Sequence, residues 1–152
     1  MPVTVHVTPL AKQQVADLRR AHRAAYDQFL SELRSQGCRA LGYRLTGDVV
    51  EHLCVKHLVR ALRVVVAFTA KDEATIVIVG PHDDDDPHND VYTLLYELAG
   101  LERPPQGERT KPPCCGTEDG LPPLADQSLA DDLVSRCRDL TRAGGRRAGR
   151  RR

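Results

Sequence analysis

The sequence predicts an α+β fold, because its hydrophobic period changes from helical spacing to strand-like alternation near residue 41. Before that point a short alternating segment from Val3 to Val7 precedes an amphipathic helical segment. After it, four apolar or alternating segments follow one another as far as residue 80, with short polar turns between them. A strand, a helical segment and then a run of strands is the order expected of an antiparallel β-meander with helices on one face.

The helical segment covers residues 10–36, where apolar side chains recur at spacings of three, four and seven. Thr8 is suited to the N-cap and Pro9 to the first helical position, while Gly37 is suited to the end of the helix. One long helix and two helices in a hairpin both satisfy this pattern. Either arrangement supplies an apolar stripe that can cover the sheet.

The predicted meander has four strands, and the last two are continuously apolar, as expected of central strands. Their bounds are Leu41–Thr46, Val49–His57, Leu62–Thr69 and Thr75–Gly80. Gly47-Asp48 supplies the turn between the first two strands, and Lys71–Glu73 the turn between the last two. Alternation in the second strand puts Val55 and His57 on one face, and Cys54 and Lys56 on the other.

The remainder of the chain changes composition after a short helix, Val91–Leu98, which Gly100 ends. We predict a domain over residues 1–100 and a Pro/Gly-rich linker over 101–124, where six of the ten prolines lie. An amphipathic helix is predicted over 125–143, opened by a capping box at Ser128. The basic residues 144–152 are predicted to be disordered.

Composition restricts the class of protein. The first 100 residues hold 11 Lys and Arg against 13 Asp and Glu, so the domain lacks the positive charge typical of nucleic-acid-binding proteins. No apolar run approaches the roughly 18 residues of a membrane span, and the N-terminus lacks a signal-peptide pattern, so no membrane is predicted. Five cysteines is an odd number, and the adjacent Cys114 and Cys115 are poorly placed to pair with each other. We therefore predict reduced cysteines and a cytoplasmic location.

Five segments of the predicted domain carry a resemblance to a known family: YRLTG, EHLCVKH, LRVVVAF, TIVIVGPH and DVY. In this order and spacing they resemble the RelE/ParE toxin superfamily over about residues 3–98. The resemblance implies a small cytosolic toxin that pairs with an antitoxin protein and cuts mRNA on the ribosome with one face of its sheet. It implies no cofactor.

The resemblance leaves more than one function open, because a fold does not determine an activity. The first hypothesis is a RelE-like, metal-independent endoribonuclease. The second is a ParE-like, non-catalytic protein that inhibits a target such as DNA gyrase. The third is a non-toxic, partner-binding domain with the same fold.

The resemblance also implies four catalytic positions: Arg63 at the start of a strand, Lys56 on the neighbouring strand, His82 after the last strand, and Tyr92. Cleaving RNA without a metal requires the 2′-hydroxyl to lose a proton as it attacks phosphorus, and the 5′-oxygen to gain one. An imidazole such as that of His82 can serve at either step. Arg63, helped by Lys56, would stabilise the charge that builds on phosphorus.

Tyr92, the fourth catalytic position, and two further residues predicted to bind RNA complete the set. Tyr92 would stack on a base or orient a proton. Arg44 and Arg60 would hold phosphates on either side of the cleaved bond.

The loop Asp83–Asp86 departs from the family pattern, which has basic residues there. With His82 and His88 it contains ligand types that a divalent cation accepts. A run of aspartates is more often a solvated loop, and we predict no metal site. Because four negative charges oppose phosphate binding, the loop either moves away from the RNA, docks a basic segment of the antitoxin, or marks a protein that does not cut RNA.

Overall fold

The computed structural model describes residues 2–45, 52–83, 85–86, 90–100, 112–116, 118–125, 132–133 and 135–136. In these residues the elements are β1 (Thr4–Val7), α1 (Pro9–Ala16), α2 (Arg20–Gln36), β2 (Tyr43–Arg44), β3 (Leu53–His57), β4 (Leu62–Ala70), β5 (Glu73–Pro81) and α3 (Val91–Ala99). A 3-10 helix, Gly37–Ala40, joins α2 to β2. The predicted α+β class is confirmed.

The described strands form one sheet in the order β1-β5-β4-β3-β2. The pairs β2–β3, β3–β4 and β4–β5 are antiparallel, as expected of a meander. The N-terminal strand β1 pairs in parallel with β5, at the far edge. A parallel neighbour requires a crossover connection, and α1 and α2 belong to it.

The helical segment is a pair of helices, because α1 ends at Ala16 and α2 begins at Arg20. Thr8 caps α1 as predicted, since its hydroxyl oxygen accepts a hydrogen bond from the Ala11 amide at 3.1 Å. The same hydroxyl donates to the Val77 carbonyl of β5 at 2.7 Å. One buried side chain therefore starts the first helix and ties it to the sheet.

Both faces of the central strands are covered, which explains their continuous apolar sequence. Phe29 and Leu33 of α2 pack on one face, and Leu95 and Leu98 of α3 belong to the core on the other. All four side chains are almost fully buried. Burial of side chains of this size stabilises the fold by about 1.5–3 kcal/mol each.

The first two strands of the meander are shorter than predicted. Strand β2 contains only Tyr43 and Arg44, and the described part of its partner begins at Leu53. The predicted turn at Gly47-Asp48 and the predicted strand start at Val49 lie outside the described residues. Strands β4 and β5 agree with the prediction to within two residues at each end, as does α3.

The prediction of reduced cysteines is wrong. Cys115 forms a disulfide with Cys38, and Cys114 forms one with Cys54. The Cα atoms of these pairs lie 5.5 and 5.7 Å apart, the separation that a disulfide requires. Sequence spacing did not indicate the pairing because the partners are 77 and 60 residues apart. A cytoplasmic location stays a prediction.

The described part of the Pro-rich segment packs on the domain. The Ala125 amide donates to the Phe68 carbonyl at 2.8 Å. Further along, Leu133 is buried beside α3, and Arg136 donates to the Leu98 carbonyl at 2.7 Å. Most of the predicted helix 125–143, its capping box and the basic end lie outside the described residues. The domain boundaries stay a prediction.

Candidate active site

Polar side chains meet where β3 and β5 end and β4 begins. His57 of β3 lies opposite Arg63 of β4, and Arg63 lies opposite Gly80 of β5, two residues before His82. Since neighbouring strands are about 4.8 Å apart, β3 and β5 are separated by roughly 10 Å at this level. Arg63 therefore stands between two strand ends that each supply a histidine.

His82 is held by a buried carboxylate. Its Nδ1 lies 2.7 Å from Oδ1 of Asp90, whose side chain is fully buried. The same Oδ1 accepts the Asp83 amide at 2.9 Å, and Oδ2 accepts the amide and hydroxyl of Thr93 at 3.0 and 3.1 Å. Asp90 is thus also the N-cap of α3. When the imidazole is neutral, this contact favours the tautomer with its proton on Nδ1 and its lone pair on Nε2.

Two tyrosines connect the histidines. The hydroxyls of Tyr43 and Tyr92 lie 2.9 Å apart, and the Tyr43 hydroxyl lies 3.1 Å from Nε2 of His57. The rings of His82 and Tyr92 meet edge to face with centroids 4.9 Å apart. His57, Tyr43, Tyr92 and His82 therefore form one continuous chain of contacts, buried at Tyr92 and exposed at His57.

The environment of Tyr92 keeps its phenol protonated. Burial raises the pKa of Tyr92 well above its usual value near 10, and the hydrogen bond with Tyr43 raises it further. The nearby guanidinium of Arg63 opposes the shift only in part. Tyr92 can therefore donate or accept a hydrogen bond and support the His82 ring, but it does not supply a phenolate base.

This shift predicts a loss of stability in alkali. The Tyr92 phenol ionises near pH 10 in the unfolded chain and at a higher pH in the folded chain. Its contribution to stability is therefore complete below about pH 10 and is lost as the pH rises toward the folded-state pKa. We expect Tyr92→Phe to flatten the fall in unfolding free energy above about pH 10, measured by urea unfolding.

Tyr43→Phe is the matched control for this measurement. It removes the hydrogen bond but leaves burial, the larger cause of the shift, so much of the alkaline slope should remain. An unchanged slope in Tyr92→Phe would show that Tyr92 is not the responsible group.

Arg63 is fixed by backbone carbonyls. Its Nη1 donates to the Arg60 carbonyl at 3.1 Å and to the Leu62 carbonyl at 3.3 Å. Its buried Nε has no hydrogen-bond partner in the described part of the chain. A guanidinium has five N–H donors, so these contacts orient its plane without exhausting its capacity to bind an oxyanion.

Lys56 does not belong to this cluster. It alternates with His57 and pairs with Val64, whose side chain packs in the core on the α2 side of the sheet. Its side chain therefore projects from the face opposite to that of Arg63. The position of Lys56 does not support its predicted role beside Arg63.

The two predicted RNA-binding arginines also lie apart from each other. Arg44 donates from Nε to the Pro113 carbonyl at 3.1 Å and from Nη2 to the Cys114 carbonyl at 2.9 Å, so it holds the C-terminal segment. Arg60 is exposed in the turn before β4 and has a left-handed backbone, with φ of 53°. It lines a groove of about 550 Å³ between α1 and the start of α3. Of the two, Arg60 lies nearer to Arg63.

Tyr43, His57 and Asp90 were not among the predicted site residues. The predicted alternation put His57 on the same strand face as Val55, and Arg63 lies on that face in the structure. This alternation could have indicated His57 as a site residue. Asp90 stands three residues before Thr93 at a helix start, a pattern that indicates an N-cap. No local pattern indicated that this cap also faces His82.

Part of the acidic loop is described. Asp85 and Asp86 are exposed, and the Asp85 amide donates to the Asp83 carboxylate at 3.0 Å. Asp84 and His88 lie outside the described residues. Among the residues that are described, no three His, Cys, Asp or Glu side chains are grouped so as to hold a metal ion. Nor does any helix in that part of the chain have the length and apolar character needed to cross a membrane.

No family model and no curated protein matches the chain. The chain is similar to one in the crystal structure of the toxin–antitoxin complex RelBE2 from Mycobacterium tuberculosis, with a TM-score of 0.46 and 19% sequence identity. The match covers 54% of this chain and 100% of that chain. Similarity at this level does not assign a family.

Proposed function

We propose that this chain is a RelE/ParE-type toxin of a toxin–antitoxin pair that cleaves mRNA without a metal ion. The observation that carries the proposal is the convergence of Arg63, the His82–Asp90 pair and His57 at one end of the sheet. The resemblance of the sequence to these toxins supplies the class of reaction. The cluster supplies the two proton-transferring groups and the cation that this reaction needs.

Proton transfer falls to the two histidines. His82, oriented by Asp90, would take the proton of the 2′-hydroxyl as that oxygen attacks phosphorus. The buried carboxylate would stabilise the imidazolium that forms. His57 is exposed on the neighbouring side of Arg63 and would give a proton to the departing 5′-oxygen. The products would carry a 2′,3′-cyclic phosphate and a 5′-hydroxyl.

Arg63 would stabilise the charge on the phosphoryl oxygens. Its anchored guanidinium lies between the strand ends that carry the two histidines, where the attacked phosphate has to lie. A donor that is already oriented needs little reorganisation when the charge develops, which is the main source of electrostatic catalysis. Tyr43 and Tyr92 would hold the two imidazoles in position through their contacts.

The proposed protein partner is an antitoxin. Asp85 and Asp86 are exposed beside the candidate site and repel an RNA backbone. The same charges would attract a basic segment of the antitoxin laid over the site. Binding of this segment would explain both how the antitoxin inhibits the toxin and why the loop is acidic.

A non-catalytic, ParE-like protein that inhibits a target such as DNA gyrase is the second candidate. The observations that favour it are the acidic loop and the engagement of Arg44 by backbone carbonyls, which leaves fewer cations near the site for RNA. Both candidates predict toxicity, and they differ in what the protein does to RNA.

Controlled expression and an RNA cleavage assay test the proposal. We expect growth arrest on expression of the full chain, relieved by a co-expressed antitoxin. We expect purified protein with its disulfides intact to cut ribosome-bound mRNA, leaving a 2′,3′-cyclic phosphate and a 5′-hydroxyl end. Normal growth would overturn both toxin hypotheses. Arrest with intact mRNA and inhibited DNA supercoiling would favour the ParE-like function. Cleavage that leaves 5′-phosphate ends would overturn the metal-free mechanism, because attack by the 2′-hydroxyl leaves a 5′-hydroxyl.

A further inference from the structure

The described residues 112–116 and 118–125, here called the strap, lie along one side of the domain. At its start the Pro112 carbonyl accepts the Arg44 amide of β2 at 2.9 Å. At its end Leu124 forms an isolated parallel bridge with Phe68 of β4. The strap therefore pairs with the backbone of both β2 and β4.

Two disulfides hold the strap, and they differ in accessibility. Cys54 and Cys114 are buried, at 0% and 2% exposure, so this bridge is sealed in the core. Cys115 is half-buried, and its partner Cys38, at 7% exposure, lines a cavity of about 550 Å³. The strap forms one wall of that cavity through Gly120 and Leu121.

The cavity beside Cys38 suits the approach of a thiolate. Arg39 and Lys71 line it and place positive charge near the disulfide, although Asp72 is also present. Positive charge favours the thiolate form of an attacking thiol. In the described part of the chain, Cys38 has two contacts with the strap. One is the disulfide with Cys115, and the other is packing of its sulfur against the Gly120 carbonyl.

We propose that the two disulfides form a redox-sensitive lock on the strap, opened in a fixed order. A dithiol enters the cavity, and its thiolate attacks Sγ of Cys38, so that Cys115 leaves as a thiolate and is protonated. The second thiol of the reductant resolves the mixed disulfide, which leaves two protein thiols and an oxidised reductant. With that bridge open, the strap wall of the cavity can move and the buried Cys54–Cys114 bridge becomes accessible to the same reaction.

Opening both bridges frees the edge of the sheet. The amide and guanidinium of Arg44 lose the carbonyls of the strap that accept their hydrogen bonds. Strand β2, which contains Tyr43 of the candidate site, then becomes an exposed edge strand. In the oxidised chain the strap covers this edge, and in the reduced chain the edge is exposed. Neither step of this reduction requires that the protein cleave RNA.

The order of opening is measured by titrating the full chain with dithiothreitol, alkylating free thiols and mapping them by mass spectrometry. We expect Cys38 and Cys115 to be labelled before Cys54 and Cys114. In the double variant Cys38→Ser, Cys115→Ser we expect the Cys54–Cys114 bridge to be reduced about tenfold faster than in the wild type, since its outer barrier is absent. Simultaneous labelling of all four, or labelling of the buried pair first, would overturn the order.

Release of the edge is measured by amide hydrogen exchange. We expect the Arg44 amide, which bonds to Pro112, to exchange at least about tenfold faster once both bridges are reduced. The neighbouring Leu45 amide bonds to Leu53 of β3 and is the internal control, with its exchange unchanged. A slow Arg44 amide in the fully reduced chain would overturn the proposal. Faster exchange at both the Arg44 and the Leu45 amides would also overturn the proposal, because it would indicate that the edge of the domain unfolds.

Discussion

Arg63→Ala is expected to lower the rate of RNA cleavage by about 10²–10³-fold, the effect of removing one oriented donor from a developing oxyanion. The guanidinium is half-buried and anchored by the Arg60 and Leu62 carbonyls, so alanine removes a preorganised cation that water replaces poorly. The measurement is the single-turnover rate on ribosome-bound mRNA, together with urea unfolding of each variant.

Two variants make the Arg63 result specific. Arg63→Lys keeps the charge but loses the planar fork, so it should recover only part of the rate. Lys56→Ala removes a cation from the opposite face of the same part of the sheet and should leave the rate unchanged. An Arg63→Ala variant that stays folded and cuts RNA at the wild-type rate would contradict the proposed site.

His82→Ala is expected to lower the cleavage rate by about 10²–10⁴-fold, the usual contribution of a positioned acid or base. Nδ1 of His82 lies 2.7 Å from a buried carboxylate that also bonds to the Asp83 and Thr93 amides, so the ring is held by a rigid partner. The effect should appear in the chemical step and not in RNA affinity. Single-turnover rates at saturating RNA separate the two.

Asp90→Asn tests the orientation of His82 without removing the helix cap. Asparagine can keep the cap on the Thr93 amide through its carbonyl oxygen, but its NH2 group then faces the Asp83 amide, which loses its acceptor, so urea unfolding of the variant is measured beside its rate. The amide does not stabilise an imidazolium as the carboxylate does, so the rate should still fall. Thr93→Val is the control, because it removes one of the bonds to Asp90 and leaves the contact with His82. If Asp90→Asn cut RNA like the wild type, the role of Asp90 would be limited to capping.

The residues of the site were only partly predictable. Arg63, His82 and Tyr92 follow from the resemblance to a toxin family, and the structure brings these three together. Lys56 was predicted with them, although strand alternation alone separates it from His57. Asp90 combines a local role as N-cap with a contact across a loop to His82, and only the local role leaves a trace in the sequence.

The sequence by itself determined the class of fold, the extent of the first helical segment and the positions of the central strands, but it left open whether that segment is one helix or two. Its information is local, since hydrophobic period, caps such as Thr8 and stops such as Gly100 act over one or two turns of chain. The tertiary structure decided which side chains meet. The contact of Tyr43 with Tyr92 depends on strand pairing and on the docking of α3. The pairing of Cys114 and Cys115 with Cys54 and Cys38 likewise depends on Cα separations that exist only once the strap lies on the sheet.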